Sequence, residues 1–234
     1  MTFMIHLRND VRQIVRDPIM LVLMFVPLIL IVVFKLLLLF LLPVLINLTG
    51  FNPDPYYVYL LAFALLLSAG MLGIVTGFLM IDERDGNIAE LMAVTPLGRT
   101  GYLVNRLSFA ALLSVIYSFL SVYVLNVCPV TWPVAIALAG LMAMYTTIFG
   151  LILFNSADDK VKGLTFAKGL NVLAFFAFTD LFGLKWLIVL SWFFPPFWIT
   201  ALLKNQGTTL PFVMALIVHA GWLAVLLMRY QRKN

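Results

Sequence analysis

From Ile19 to Leu42 the sequence is an apolar run broken by a single charge, Lys35. About 20 such residues in a helix match a hydrocarbon core roughly 30 Å thick. The run is long enough to cross with some tilt. In lipid the backbone must satisfy its own hydrogen bonds, and a helix does so. Comparable runs follow near Tyr56–Ile81, Tyr102–Val127, Trp132–Phe154, Thr165–Phe182 and Leu210–Met228. The expected fold class is therefore an all-α integral membrane protein with six transmembrane helices. Composition agrees. Charged residues make up 11% of the chain, where a soluble domain carries roughly 25%, and the mean hydropathy is +1.09.

The segments between the runs set the topology. Residues 1–17 place Phe3, Met4, Leu7, Val11, Ile14 and Val15 near helical spacing, with Arg8, Arg12 and Arg16 on another face. This predicts an amphipathic elbow helix lying in the interface plane, or else a solvated leader whose arginines orient the chain. No cleavage site follows it, so a signal peptide is not expected. The stretch Asn47–Tyr57 lacks Lys and Arg and reads as an external loop, and Asn155–Lys168 reads as an internal polar loop. Leu184–Trp198 is apolar but short, and Pro195-Pro196 breaks its end. Counting it as a span would put Arg229, Arg232 and Lys233 outside, against the positive-inside rule. Residues 184–208 are therefore expected to form a re-entrant segment on the outer face. The resulting layout is one transmembrane domain over 1–234 in the cell membrane, with both termini cytoplasmic. Lys185 and Lys204 lie outside. Lys35 sits near that face and either snorkels to it or meets a substrate.

Function classes that need a catalytic constellation find little support. The two histidines, His6 and His219, are far apart, and Cys128 is the single cysteine. No metal set, nucleophile motif or P-loop is present, so no cofactor is expected in this chain and any ATP work falls to another polypeptide. An enzyme is not expected. The net charge of +5 suits membrane orientation and does not imply nucleic acid. His219 lies mid-span and is either functional or a neutral histidine bonded to a neighbouring helix. Asp180 is either wetted at a helix end or, if deeper, needs a partner such as Lys185. Ala69, Gly73 and Gly77 recur every four residues and predict close helix packing.

The most polar stretch between spans is residues 82–99. Asp82, Glu83, Arg84 and Asp85 prolong the second helix, Gly86 can end it, and Asn87 with Glu90 makes a box-like start for another. Ile88, Leu91, Met92 and Thr95 then share a face, and Pro96 stops the helix. A short helix of this kind fits a partner's groove. Its acidic residues disfavour an anionic lipid surface.

The run Glu83-Arg84-Asp85-Gly86, Glu90-Leu91, Val94-Thr95-Pro96, Tyr102 and Arg106 resembles the first cytoplasmic loop of ABC-2 type transporter permeases. Counted from Pro96, Asn87 occupies the family's glycine position, and Arg106 stands where lysine is common. The elbow, six spans and re-entrant segment are similar to that family too, and Thr95-Pro96-Leu97 is similar to its short drug and peptide-antibiotic exporters. The resemblance implies an exporter subunit paired with a second permease chain, identical or paralogous, each on an ATPase subunit that carries ATP and Mg. Glu83, Arg84, Asp85, Gly86, Glu90, Leu91, Met92 and Pro96 would form the coupling contact. It also implies a pathway along the first, second and fifth spans. There Ser68, Thr76, Asn171, Thr179 and Asp180 are the polar candidates for a hydrophobic or amphipathic cargo, and Phe175, Phe176 and Phe178 either the aromatic ones or residues that face lipid or pack; His219 of the last span is a further candidate. The rival reading is a stand-alone secondary transporter or channel.

Overall fold

The computed structural model describes residues 17–87, 91, 98–206 and 208–233. The expected elbow, apart from Asp17, therefore lies outside the described residues, as do Glu90, Met92 and Pro96. The described chain is helical throughout, with no strand among the described residues. Its elements are α1 (Pro18–Leu36), a π-helical turn (Leu37–Leu41), α2 (Leu42–Thr49), α3 (Tyr57–Asp85), α4 (Gly98–Leu125), α5 (Trp132–Ser156), α6 (Lys160–Asn171), a 3-10 segment (Val172–Phe182), α7 (Lys185–Ser191), α8 (Pro195–Lys204) and α9 (Thr209–Lys233). Among the described residues six stretches are long and apolar enough to cross a membrane: Met20–Thr49, Asp54–Asp85, Thr100–Leu125, Trp132–Ser156, Lys160–Phe182 and Thr209–Arg232. The protein is a multi-pass membrane protein.

Three boundaries differ from expectation, each for a local reason. The first span does not end near Pro43. Its helix continues to Thr49 and stops at Gly50, which takes φ +66°. Proline in a helix clashes with the carbonyl four residues back, and here the π turn Leu37–Leu41 precedes it, so Pro43 falls in the first turn of α2. The polar stretch 155–168 is mostly helix. Asp159 is an N-cap whose carboxylate accepts from the Lys162 N–H at 2.8 Å, so α6 begins at Lys160. Pro195 and Pro196 start α8 instead of ending a segment, with Phe194 extended before them. Proline suits a first helical turn, where its missing N–H has no partner to lose.

Helices α7 and α8 are bent by 106°. At 1.5 Å per residue they measure roughly 10 and 15 Å, well short of a bilayer, and the bend prevents them from acting as one straight span.

The centre of the bundle is the α3–α5 contact. A Cβ on Gly73 would lie 2.5 Å from the Phe149 Cβ and 2.6 Å from the Thr146 carbonyl oxygen, and one on Gly77 would lie 2.7 Å from a Leu153 methyl. Only glycine permits that approach. The Thr146 hydroxyl crosses the same seam and donates to the Ala69 carbonyl at 3.0 Å. Helix α3 is the hub of the bundle, with 72% of its apolar window buried, whereas the first span has 6%. That first span is held at separated points. The Tyr117 hydroxyl of α4 donates to the Met24 carbonyl at 3.1 Å, and the Lys35 ammonium donates to the Leu125 carbonyl at the C-terminus of α4 at 3.1 Å.

Candidate functional site

Helix α3 runs past the apolar core for one further turn, and three successive residues of that turn, Asp82, Glu83 and Arg84, each reach a different element. Asp82 meets the Lys160 ammonium of α6 at 2.8 Å, and the same ammonium meets Asp17 before α1 at 2.6 Å. Glu83 is 1% exposed and grips Arg106 of α4, 7% exposed, through two parallel hydrogen bonds. The Tyr102 hydroxyl, one turn earlier on α4, donates to the same carboxylate at 2.7 Å. A buried charge pair is tolerable only when geometry and extra hydrogen bonds compensate for lost water, and here both are present. Arg84 turns the other way. It donates to the carbonyls of Ala157 and Asp158 at 2.9 and 2.6 Å, past the end of α5, and lies 5.1 Å over the Phe154 ring. A cation on the exposed carbonyls of a helix C-terminus also complements the helix dipole.

The turn leaves Asp85 exposed, and Gly86 and Asn87 follow in the open. Gly86 keeps an ordinary negative φ of −86°. Asn87 is the residue at φ +55°, in the left-handed region that glycine favours and asparagine tolerates best among the rest. The glycine-like position of the loop is thus held by Asn87. The Leu91 N–H bonds back to the Asn87 carbonyl at 3.2 Å, the first turn expected of a helix starting there, and the Leu91 side chain is 65% exposed. Asp85 and Leu91 point away from the chain's own core, whereas Glu83 does not. The expectation that Glu83 lies on a docking surface is corrected: it is an internal tie between α3 and α4.

The sequence pattern of one family, described as fluoroquinolones export permease protein Rv2686c-like, matches residues 10–228. The chain belongs to this family. Two curated relatives from Mycobacterium tuberculosis, the fluoroquinolones export permease proteins Rv2686c of strain H37Rv and MT2760 of strain CDC 1551, are each 25% identical to it. Each match runs over 238 residues, covering 97% of this chain and 93% of the relative. No solved structure matches.

In this member of the export-permease family the residues expected along a pathway separate into groups. Ser68 and Thr76 are buried and donate to carbonyls of their own helix, Ala64 and Leu72. Thr76 packs on Gly150 of α5, so these two serve the α3–α5 seam. Thr179 is buried too, with its hydroxyl on the Phe176 carbonyl at 3.2 Å. Asn171 is half-buried at the junction of α6 and the 3-10 segment, and Phe175 beyond it is exposed. Asp180 does pair, though with Lys204 of α8 and not with Lys185. Lys204 also reaches the Tyr59 hydroxyl and lies 4.3 Å over that ring. His219 is fully buried and bonds within its own helix, to the Ala215 carbonyl at 2.7 Å, not to a neighbouring one.

Proposed function

We propose that this chain is the membrane subunit of an ATP-binding cassette exporter, with the 82–99 loop as the point where a separate ATPase subunit acts on it. One observation carries the proposal: successive residues Asp82, Glu83 and Arg84 tie the root of that loop to α6, α4 and the end of α5. A push on the loop therefore reaches several spans at once. Asp85 and Leu91, exposed beside it, supply the contact surface, together with Glu90, Met92 and Pro96 outside the described residues. The chain performs no catalysis. Its contribution is a difference in contacts between two states of its partner.

The named relatives support a drug as cargo, of the planar, amphipathic kind. Pairing with a second permease chain suits the first span, whose apolar faces find little cover within one chain. The distribution of Lys and Arg supports cytoplasmic termini in a cell membrane.

The test is co-expression with P-loop ATPase subunits from the same genome, followed by co-purification and by fluoroquinolone export from vesicles. Asp85→Lys and Leu91→Glu are expected to weaken co-purification. Glu83→Gln is expected to preserve it while lowering ATP-driven export. Export that needs an ion gradient and no ATPase would instead establish a stand-alone transporter and overturn the proposal.

A further inference from the structure

The bend between α7 and α8 carries Phe194. Its ring lies parallel to that of Phe176 in the 3-10 segment, with centroids 3.9 Å apart and planes within 2°. Aromatic pairs usually sit about 4.5–7 Å apart, so this stack is tight. Trp222 of α9 flanks it at 6.0 Å and donates its indole N–H to the Phe193 carbonyl at 2.9 Å. Phe194 and Trp222 also line, with Tyr145 and Phe149 of α5, a cavity of about 10 Å³. That volume is about what one water requires, so no aromatic ring fits there while Phe194 is in place.

Tyr145 lines this cavity, and behind it His219 packs against the Tyr145 ring; the Tyr145 hydroxyl and His219 Nε2 are both buried with no hydrogen-bond partner among the described residues. Tyr145 is 1% exposed and His219 is 0% exposed, with their rings 6.4 Å apart. The tautomer of His219 follows from its one bond. The Ala215 carbonyl only accepts, so Nδ1 carries the proton, and in a neutral ring Nε2 is a bare acceptor. Tyr145 contributes a donor. Buried polar groups are nearly always paired, and two neighbouring orphans of opposite character ask for a group that both accepts and donates.

We propose that Phe194 is a stand-in for cargo: when the α7–α8 bend withdraws, an aromatic ring of the exported compound takes its place on Phe176, and Tyr145 and His219 bind that ring's polar substituents. The ligand class is a planar aromatic compound bearing a hydrogen-bond acceptor, such as a carbonyl, and a donor. This rests on the drug-export function proposed above. The slot lies inside one chain, walled by α5, the 3-10 segment and α9. The bend that plugs it is tied to the far end of the bundle by Lys204, through Asp180 and Tyr59.

The experiment uses the purified full chain and a fluoroquinolone whose own fluorescence anisotropy reports binding. Removing the plug by Phe194→Ala is expected to tighten binding. Phe176→Ala is expected to weaken it by roughly 2- to 10-fold, the worth of one such ring stack. Tyr145→Phe, which keeps the ring and removes the donor, weakens it by about the same factor. Phe194→Leu, which keeps apolar bulk but not the stack, serves if the alanine variant does not fold and is also expected to tighten binding. If the Phe194 variants weaken binding as Phe176→Ala does, the stack is only structural and the proposal falls. Wild-type export of the drug, with binding unchanged in Phe176→Ala and Tyr145→Phe, overturns the slot and leaves the export function standing. Absence of wild-type export overturns both.

Discussion

Replacing Arg106 by Met leaves the Glu83 carboxylate 1% exposed, with the Tyr102 hydroxyl still donating to it. Breaking a buried pair from one side costs about 3–5 kcal/mol, because the surviving charge stays desolvated. Replacing both partners is different, since an uncharged pair of similar volume is often neutral or better. Glu83→Gln combined with Arg106→Met keeps an acceptor for Tyr102 and removes both charges. The double variant is therefore expected to be more stable than Arg106→Met alone, by about 3 kcal/mol on these figures. For a chain of this size each kcal/mol moves the melting midpoint by roughly 2–4 °C. The expected separation is thus about 6–12 °C, read by thermal unfolding of the detergent-purified proteins at matched concentration. Single and double variants melting together, or a double variant that is worse, would refute the argument that an unpaired charge governs the loss.

Other outcomes follow from the same geometry. Gly73→Ala puts a methyl 2.5 Å from the Phe149 Cβ and against backbone at Thr146; overpacking of this kind costs about 1–3 kcal/mol, and a drop in melting midpoint checks it. Asn87→Gly is expected to be neutral or slightly stabilising, and Asn87→Val to lose about 1–2 kcal/mol, because the position holds φ +55°; Gly86→Ala, at a negative φ, should be tolerated in the same assay. Lys160→Met removes partly exposed pairs to Asp17 and Asp82, so its cost should stay within about 1 kcal/mol. Lys204→Met is expected to lower stability more than Lys185→Met, because Asp180 pairs with Lys204; equal midpoints would contradict that pairing.

The spans are legible in the sequence because a bilayer demands long apolar runs, and the six found lie within a few residues of those runs at most ends. The small residues Ala69, Gly73 and Gly77 are legible for a similar reason, since close helix approach leaves few residue types. The start of α6 is hidden. Asp158, Asp159 and Lys160 look like loop by composition, and only the cap geometry of Asp159 shows that they begin a helix. The 3-10 segment Val172–Phe182 is also hidden, because its apolar run has the composition of an α-helix. Glu83 misleads for a deeper reason. Local sequence shows a helix leaving the membrane in a cluster of charge, which argues for exposure. Its partner Arg106 lies 23 residues away. The available signal was the pair Tyr102 and Arg106, one helical turn apart on one face of α4, a donor face waiting for an acceptor.

The two ends of the bundle are held differently, and that asymmetry says where the chain can change shape. At the loop end the ties include a bidentate charge pair almost wholly buried, and a pair so enclosed has one good geometry and steep costs around it. It moves as a unit or not at all. At the other end the Asp180–Lys204 pair is partly exposed, 27% and 34% by side chain, so water can replace either partner at small cost. Between these ends lies the 3-10 segment, 11 residues long, where runs beyond 3–4 are uncommon because the hydrogen bonds are poorer. A 3-10 helix rises about 2.0 Å per residue and an α-helix about 1.5 Å. Rewinding the segment would shorten it by roughly 5 Å, about one helical turn. Phe176 and Asp180, which hold the α7–α8 bend through Phe194 and Lys204, both sit on that segment. If the proposed ATPase contact acts at Asp82–Arg84, a rigid loop end joined to a segment able to change length would carry that push toward the far face.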